Sequence, residues 1–303
     1  MFTLAHLSDP HLAPLPRPRL VELVGKRVLG FLNWHRGRKR VHRTQALDDI
    51  VGDLRSRPAD HIAVTGDLIN LSLPAEYPRA LAWLERLGGP HDVTLVPGNH
   101  DTYVRTARCW PAANWHAYMH GDDGGEDARF PFVRRRGPAA LIGLSTAVPT
   151  GPLLATGRLG RKQIDDLARL LDRWRGLFRI VLIHHPPWSP PRRHFKRLTD
   201  AAALRAVLAA HGAELLLHGH DHRRSLIWLD GPLGGKIPAV GVPSASALAH
   251  DRTDGRARGH DDDAAWNLFR IDGGSGAWHC EMISRQRAAD GSITEVERRV
   301  LLP

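Results

Sequence analysis

Five short stretches of the chain set Asp, Asn and His close together: Asp9-Pro10-His11, Gly66-Asp67, Gly98-Asn99-His100-Asp101, His184-His185-Pro186-Pro187 and His218-Gly219-His220-Asp221-His222. Imidazole nitrogens with carboxylate and amide oxygens make a borderline-to-hard donor set, suited to divalent manganese, iron, zinc or cobalt and lacking the thiolates of a structural zinc site. Taken singly, each stretch is ordinary. Pro97-Gly98-Asn99 is common turn chemistry, and Asn99 alone would read as a cap on that turn. Their setting changes the reading: each follows a short apolar run, as VTLV precedes Pro97 and IVLI precedes His184, and ligands of open α/β sheets gather beyond the carboxyl ends of strands. Donors in such number, seven or more, are too many for one tetrahedral ion and suit two ions sharing a carboxylate.

The elements that must position them follow from periodicity. Strands are expected at 4–7, 62–65, 93–96, 139–144, 178–183 and 214–217. Between them lie helical patterns, among them Ala46, Leu47, Ile50, Val51 and Leu54, and the stretches 75–87, 161–174 and 200–211. From 224 onward the helices stop and β-type segments at 224–229, 237–242, 266–271 and 277–283 follow. Strands grouped in this way suggest a second sheet packed on the first and flanked by helices. With 303 residues, no internal repeat and no low-complexity linker, the expectation is one domain over 1–303, with a strand-rich part at about 223–303.

At this point the motifs D-x-H, GD, GNHD, H-x-P and GH-x-H, in this order over residues 9 to 222, resemble those of the calcineurin-like metallophosphoesterases, particularly the bacterial class III cyclic-nucleotide phosphodiesterase branch. The resemblance implies an α/β fold, a four-layer α/β/β/α sandwich of two mixed sheets, with a dinuclear centre. Carried over by position, one metal falls to Asp9, His11 and His222 and the other to Asn99, His184 and His220, with Asp67 bridging. The metals are expected to be two divalent or trivalent transition-metal ions, manganese, iron or zinc. They activate water and stabilise both the attacking and leaving oxygens of an in-line displacement. His100 stands beside the ligands, free to donate a proton or hydrogen bond to the departing alkoxide. Asp101 either orients that imidazole or caps the following turn. The one departure is Asp221 in GH-x-H, where Thr or Ser is commoner; it bears on the surroundings of the ligands rather than on the metals.

Other tempting residues take plainer readings. His185 reads as support or packing, His218 as a hydrogen-bonding neighbour, Cys109 as inert, and His260-Asp261-Asp262-Asp263 as a solvated loop. Two cysteines, Cys109 and Cys280, are too few for a disulfide framework. The opening MFTLAHLSDPH carries no basic and apolar leader, and no run of about 18 apolar residues occurs. The expected location is therefore cytoplasmic, with peripheral attachment at the inner face of a membrane left open.

That opening comes from the charge. The chain has a net charge of +10, and residues 17 to 43 hold nine Lys/Arg against the single acid Glu22. A surface for duplex nucleic acid would spread its charge more widely, so this is a local device within an insertion at about 14–43. LVELVGKRVLGFLNW, residues 20–34, sets Leu20, Leu23 or Val24, Val28, and Phe31 or Leu32 on one helical face with Lys26 and Arg27 beside it. A helix of that length is about 22 Å long, too short to span a bilayer. It can lie on an anionic surface, cap the site, or pack on a partner subunit in a homodimer, although Gly25 and Gly30 weaken any helix.

The expected function is a dinuclear-metal phosphoesterase hydrolysing a small phosphodiester, a cyclic nucleotide among the candidates. The alternatives are a membrane-associated pyrophosphatase on a nucleotide-linked lipid such as UDP-diacylglucosamine, resembling hydrolases of the same superfamily, and a nuclease. The nuclease is less favoured because no stacking platform accompanies the charge. A metal-free scaffold has no need of seven ligands.

Overall fold

The computed structural model describes residues 1–124, 129–248 and 262–303. Twelve strands among them form two six-stranded sheets, each mixing parallel and antiparallel neighbours. The first contains β1 (Phe2–Leu7), β2 (His61–Val64), β3 (Val93–Leu95), β10 (Ala265–Gly274), β11 (Ala277–Arg287) and β12 (Ile293–Leu302), in the order β12-β11-β10-β1-β2-β3. The second contains β4 (Phe132–Arg136), β5 (Ala139–Gly143), β6 (Phe178–Leu182), β7 (Leu215–His218), β8 (Ser225–Asp230) and β9 (Lys236–Gly241), in the order β4-β5-β6-β7-β9-β8.

This corrects the expected grouping. The C-terminal strands do not make a sheet of their own: β10 pairs antiparallel with β1 from Phe2↔Ile271 to His6↔Asn267, and β9 pairs parallel with β7. Strands distant in sequence therefore complete both sheets. The sequence reading also passed over β4 and β12. In β4 the run of arginines disguises a buried strand. Arg134 is 2% exposed and donates to the carbonyls of Pro90, Val93, Ala117 and His120 at 2.6 to 2.7 Å.

The parallel strands are apolar on both faces because each is covered twice; all five residues of β6 are buried. The inner faces of the sheets meet in one core, where Leu4, Leu95, Leu141, Leu182, Leu217 and Phe269 are all excluded from solvent. Outside the first sheet, α3 (Thr44–Ser56) buries Ala46, Leu47, Ile50, Val51 and Leu54, and α4 (Glu76–Leu87) buries Ala80, Trp83 and Leu84. Against the second, α5 (Arg161–Arg173) buries Ile164, Leu167 and Leu171 at helical spacing while its polar residues face water, and α6 (Ala201–His211) buries Leu204 and Leu208. The layers are thus α/β/β/α.

The insertion departs most from expectation. Residues 20–34 do not form one helix. Leu20–Glu22 is a single 3-10 turn, Gly25 takes φ 58°, where a side chain would be strained, and α1 runs only over Lys26–Asn33. A π turn over Trp34–Arg38 leads into the one-turn α2 (Lys39–Val41). Lys26 and Arg27 do not flank the apolar face in solvent; they are 9% and 6% exposed. Lys26 Nζ donates to Thr150 Oγ1 at 2.7 Å and to Leu154 O at 2.8 Å, and Arg27 donates to the carbonyls of Leu71 and Ser72.

Candidate metal centre

The five polar stretches leave the carboxyl ends of β1, β2, β3, β6 and β7 where the ends of the two sheets meet. Within each sheet the loops are laced together, Asp9 N–H donating to Gly66 O at 2.9 Å, His11 N–H to Asp67 O at 3.1 Å and Gly219 N–H to His184 O at 3.1 Å, and across the seam His220 N–H donates to Asp9 Oδ2 at 2.9 Å. Asp9, His11, Asp67, His220 and His222 all have positive φ, between 38° and 69°. That backbone region is unfavourable for any residue with a Cβ, and strain of this kind persists where surrounding structure enforces it. Two glycines make the close approach feasible. A Cβ on Gly98 would collide with Asp67, and one on Gly219 with Ser8 and Asp9.

Hydrogen bonds fix which ring atoms face inward. His11 Nδ1 lies 3.1 Å from Ile69 O and His184 Nδ1 lies 2.6 Å from Thr65 O. A carbonyl can only accept, so both Nδ1 atoms carry the proton and both Nε2 lone pairs point into the site. His220 is reversed: Nε2 donates to Lys196 O at 2.8 Å and Nδ1 faces inward. Backbone partners that select the tautomer of an imidazole in this manner are characteristic of metal ligands.

The inward atoms lie on two sides of Asp67, whose Oδ2 is 3.8 Å from His11 Nε2 and 3.3 Å from His184 Nε2. On one side His222 Nε2 lies 3.2 Å from Asp9 Oδ1 and 3.3 Å from His11 Nε2. On the other, His184 Nε2 lies 3.2 Å from Asn99 Oδ1, 3.3 Å from His220 Nδ1 and 3.3 Å from Asp67 Oδ2. Lone pairs gathered this closely repel unless a cation lies among them. The residues present therefore fit a pair of transition-metal ions. Electrostatics point the same way: burial works to lower the His184 pKa, yet the Asp67 and Asp9 carboxylates hold it up to about 9.

His100 is not free, as the sequence suggested. Its Nδ1 donates to Asn70 O at 2.5 Å, its Nε2 accepts from Arg38 Nη1 at 3.0 Å, and its ring stacks on Tyr103. Burial, reinforced by the Arg38 charge, pushes its pKa well below the usual range. Asp101 does not orient it. The Asp101 carboxylate accepts from the backbone N–H groups of Asp67, Leu68, Ile69 and Gly98 at 2.8 to 3.3 Å, so it caps the loop that presents Asp67. The orienting partner of His100 is the Asn70 carbonyl.

Two residues at the site went unrecognised in the sequence. Arg38 comes in from the insertion, its Nη2 standing 3.0 Å from His11 Nε2. His42 is buried, accepts or donates at Ser246 Oγ (2.9 Å), and packs its ring 4.5 Å from that of His11, close enough to group with His11 and His222 as a further donor. Both are concealed in the run HRGRKRVHR, which reads as a solvated charge cluster; the available signal is the histidine one residue before its end. His185 bonds Thr146 Oγ1 and Ala155 O and packs on His220, while His218 bonds the neighbouring Gly219 carbonyl. Asp221 pairs with Arg193, and both line the cleft. Of the run 260–263, His260 and Asp261 lie outside the described residues. Asp262 corrects the solvated-loop reading: its N–H donates to His222 O, its carboxylate accepts from Arg224 N–H, and Asp263 beside it is buried.

The donors open onto a cleft of about 640 Å³. Asp67, Asn99, His100, His220 and His222 lie along it. Its walls carry Arg38, Arg192, Arg193, Lys196 and Arg223, with Leu153 and Phe195 among them.

Comparison with known proteins agrees with this geometry. A relative, a probable cyclic nucleotide phosphodiesterase of Synechococcus sp., is 27% identical over 178 residues, which is 57% of this chain and 62% of that protein. Among solved structures, a purple acid phosphatase from yellow lupin (Lupinus luteus) superposes with a TM-score of 0.59 at 14% identity, covering 97% of this chain and 52% of the lupin chain; this likeness concerns the fold alone. The chain thus spans less than two thirds of either protein. The profile of the calcineurin-like phosphoesterase family matches residues 2–224, the stretch that carries all five polar strand exits, and the chain belongs to that family.

Proposed function

We propose that this protein is a dinuclear-metal phosphodiesterase acting on a small phosphodiester, with cyclic nucleotides a principal candidate class. The observation carrying the proposal is the convergence of seven donors, with carbonyl-fixed tautomers and a shared Asp67, on one cationic cleft. One ion would be held by Asp9, His11 and His222, the other by Asn99, His184 and His220, with Asp67 common to both. When bound, such ions supply water activation near neutral pH and neutralise charge on the phosphoryl oxygens.

The chain's own groups do the rest. Arg38 is placed to bind a phosphoryl oxygen with its guanidinium. A phosphate drawing Arg38 away from His100 leaves Nε2 facing the cleft, with Nδ1–H anchored on Asn70 O. His100 can then hold a proton at Nε2 for the leaving oxygen. The name of the Synechococcus relative supports the diester class.

A specific observation favours a second reading. Leu153 and Phe195 are 85% and 62% exposed beside the basic residues of the cleft, a combination suited to a pyrophosphate carrying an apolar chain. The test is a comparison of rates on bis(nitrophenyl) phosphate, nitrophenyl phosphate, cyclic AMP and a nucleotide-linked lipid pyrophosphate, with and without chelator. Faster turnover of the diesters, abolished by chelation, is expected. Preference for the monoester would overturn the diester assignment, and preference for the lipid pyrophosphate would establish the second reading.

A further inference from the structure

The short helix α1 is inside out. Its buried residues are Lys26 and Arg27, whereas Val28, Leu29 and Leu32 are 39%, 45% and 42% exposed. Upstream, Leu20, Val21 and Val24 are 87%, 75% and 62% exposed. A surface helix of a water-soluble protein turns its apolar residues toward the core, and a run of exposed aliphatic residues marks a surface that meets another apolar phase. The arrangement is also anchored from below: Lys26 Nζ is fixed to Thr150 and Leu154, and it lies 4.3 Å from the ring centre of Tyr103, so the outward side is held outward.

The insertion that carries these residues also borders the cleft, to which it contributes Asn33, Gly37, Arg38 and Val41. The Lys26 bonds tie α1 to the turn at 150–154, whose Leu153 lines the cleft, and Ala155 N–H donates to Phe195 O, joining that turn to the segment 191–196. Charge accompanies them. Arg17, Arg19, Arg36, Lys39 and Arg40 are exposed on the insertion, and Arg192, Arg193, Lys196 and Arg223 line the cleft.

We infer that this face docks on an anionic lipid surface, with the aliphatic residues of 20–32 entering the acyl boundary and the arginines and lysines meeting the headgroups. Apolar residues within a strongly basic surface are the pattern that anionic bilayers bind. A second copy of this chain is disfavoured because a two-fold contact would set the basic segment against itself. The inference stands apart from the catalytic reading, since docking can be measured without turnover, and it places the mouth of the cleft toward the membrane.

The test is co-sedimentation of the full chain with vesicles of phosphatidylglycerol and phosphatidylcholine in equal parts, against vesicles of phosphatidylcholine alone. Binding to the anionic vesicles is expected at about 0.01 M salt and should be lost at about 1 M, as the screening length falls from roughly 30 to roughly 3 Å. Leu29→Ser with Leu32→Ser should weaken binding on the order of 100-fold, roughly tenfold per leucine removed from the acyl boundary. Arg36→Gln, Lys39→Gln and Arg40→Gln together should weaken it by a similar factor, each near-surface cation being worth roughly fivefold. All five side chains are exposed and lie outside the cleft, so unchanged hydrolysis of bis(nitrophenyl) phosphate verifies that the variants are folded. Three results would overturn the inference. They are no binding of the wild type to anionic vesicles at low salt, binding indifferent to the leucine substitutions, and capture by an acidic polypeptide with no vesicle affinity, which would make the partner a protein.

Discussion

Replacing His100 by Ala separates metal binding from proton transfer, because the residue touches the centre in two independent ways. Its backbone N–H donates to Asp67 Oδ1 at 2.7 Å and survives the substitution, so the shared carboxylate keeps its orientation. The side chain contributes the bond to Asn70 O, the contact with Arg38 and the stack on Tyr103, none of which involves the Asp67 carboxylate. Loss of two hydrogen bonds at about 1 kcal/mol each leaves the protein folded at room temperature. Metal content, read by elemental analysis, should match wild type. Turnover should not: a general acid contributes roughly 10²- to 10⁴-fold, or about 3 to 5 kcal/mol of barrier. That loss should appear in full on a diester with an alkoxide leaving group and shrink to a few fold with nitrophenolate, which departs without a proton. If the variant came away depleted of metal, or lost the same factor on both leaving groups, His100 would be a structural member of the centre and the proton-transfer role would fall.

Protein purified without chelator should carry close to two transition-metal ions per chain, and Asp67→Asn, which weakens the one donor common to both groups, should lose more than half of that content; retention of both ions would rule out the shared carboxylate. Arg38→Gln should raise KM for a small diester about 10- to 100-fold, the worth of a charge-assisted hydrogen bond, with kcat nearly unchanged; the reverse pattern would place Arg38 in the chemical step. Burial pushes His6 and His61 down to about 3, helped for His6 by His218 and for His61 by Arg136 and Arg134. Both are neutral in the folded chain and protonate in the unfolded chain below about 6.5, so stability of the metal-free protein should fall as pH drops from 6.5 toward 3. Each contributes up to about 1.4 kcal/mol per pH unit. Urea unfolding of His61→Gln should show a slope shallower by one proton, and an unchanged slope would refute the assignment.

The candidate site was legible in the sequence because the donors of a metal centre are local in one respect. Each proposed ligand sits within a few residues of a strand end, and strand ends are legible from apolar runs such as VTLV and IVLI. Pairing is not local. Nothing in AWNLFRIDGG indicates that it will lie against FTLAHL rather than against the strands that precede it, so the assignment of β10 to β12 to the first sheet emerged only with the tertiary structure. Arg134 likewise reads as solvated charge, yet it fills a nest of four carbonyls that no sequence window contains.

The insertion shows why its residues were the hardest to read. Its sequence pattern is amphipathic in the usual sense, with Lys26 and Arg27 at the edge of an apolar face and Gly30 a weak point in the helix. In the fold the cations are buried because polar acceptors wait beneath them: Thr150 and Leu154 for Lys26, Leu71 and Ser72 for Arg27. Gly30 then permits the approach, since a Cβ there would meet Leu71 and Tyr103 at 2.5 and 2.7 Å. Tyr103 is the ring on which His100 stacks. The same segment therefore presses on the support of His100, delivers Arg38 to the ligands, and turns its leucines outward. The insertion therefore has a packed route to His100 through the single side chain of Tyr103. Such a route requires that substitutions at Gly30, which supplies none of the proposed donors, disturb turnover before they disturb metal content.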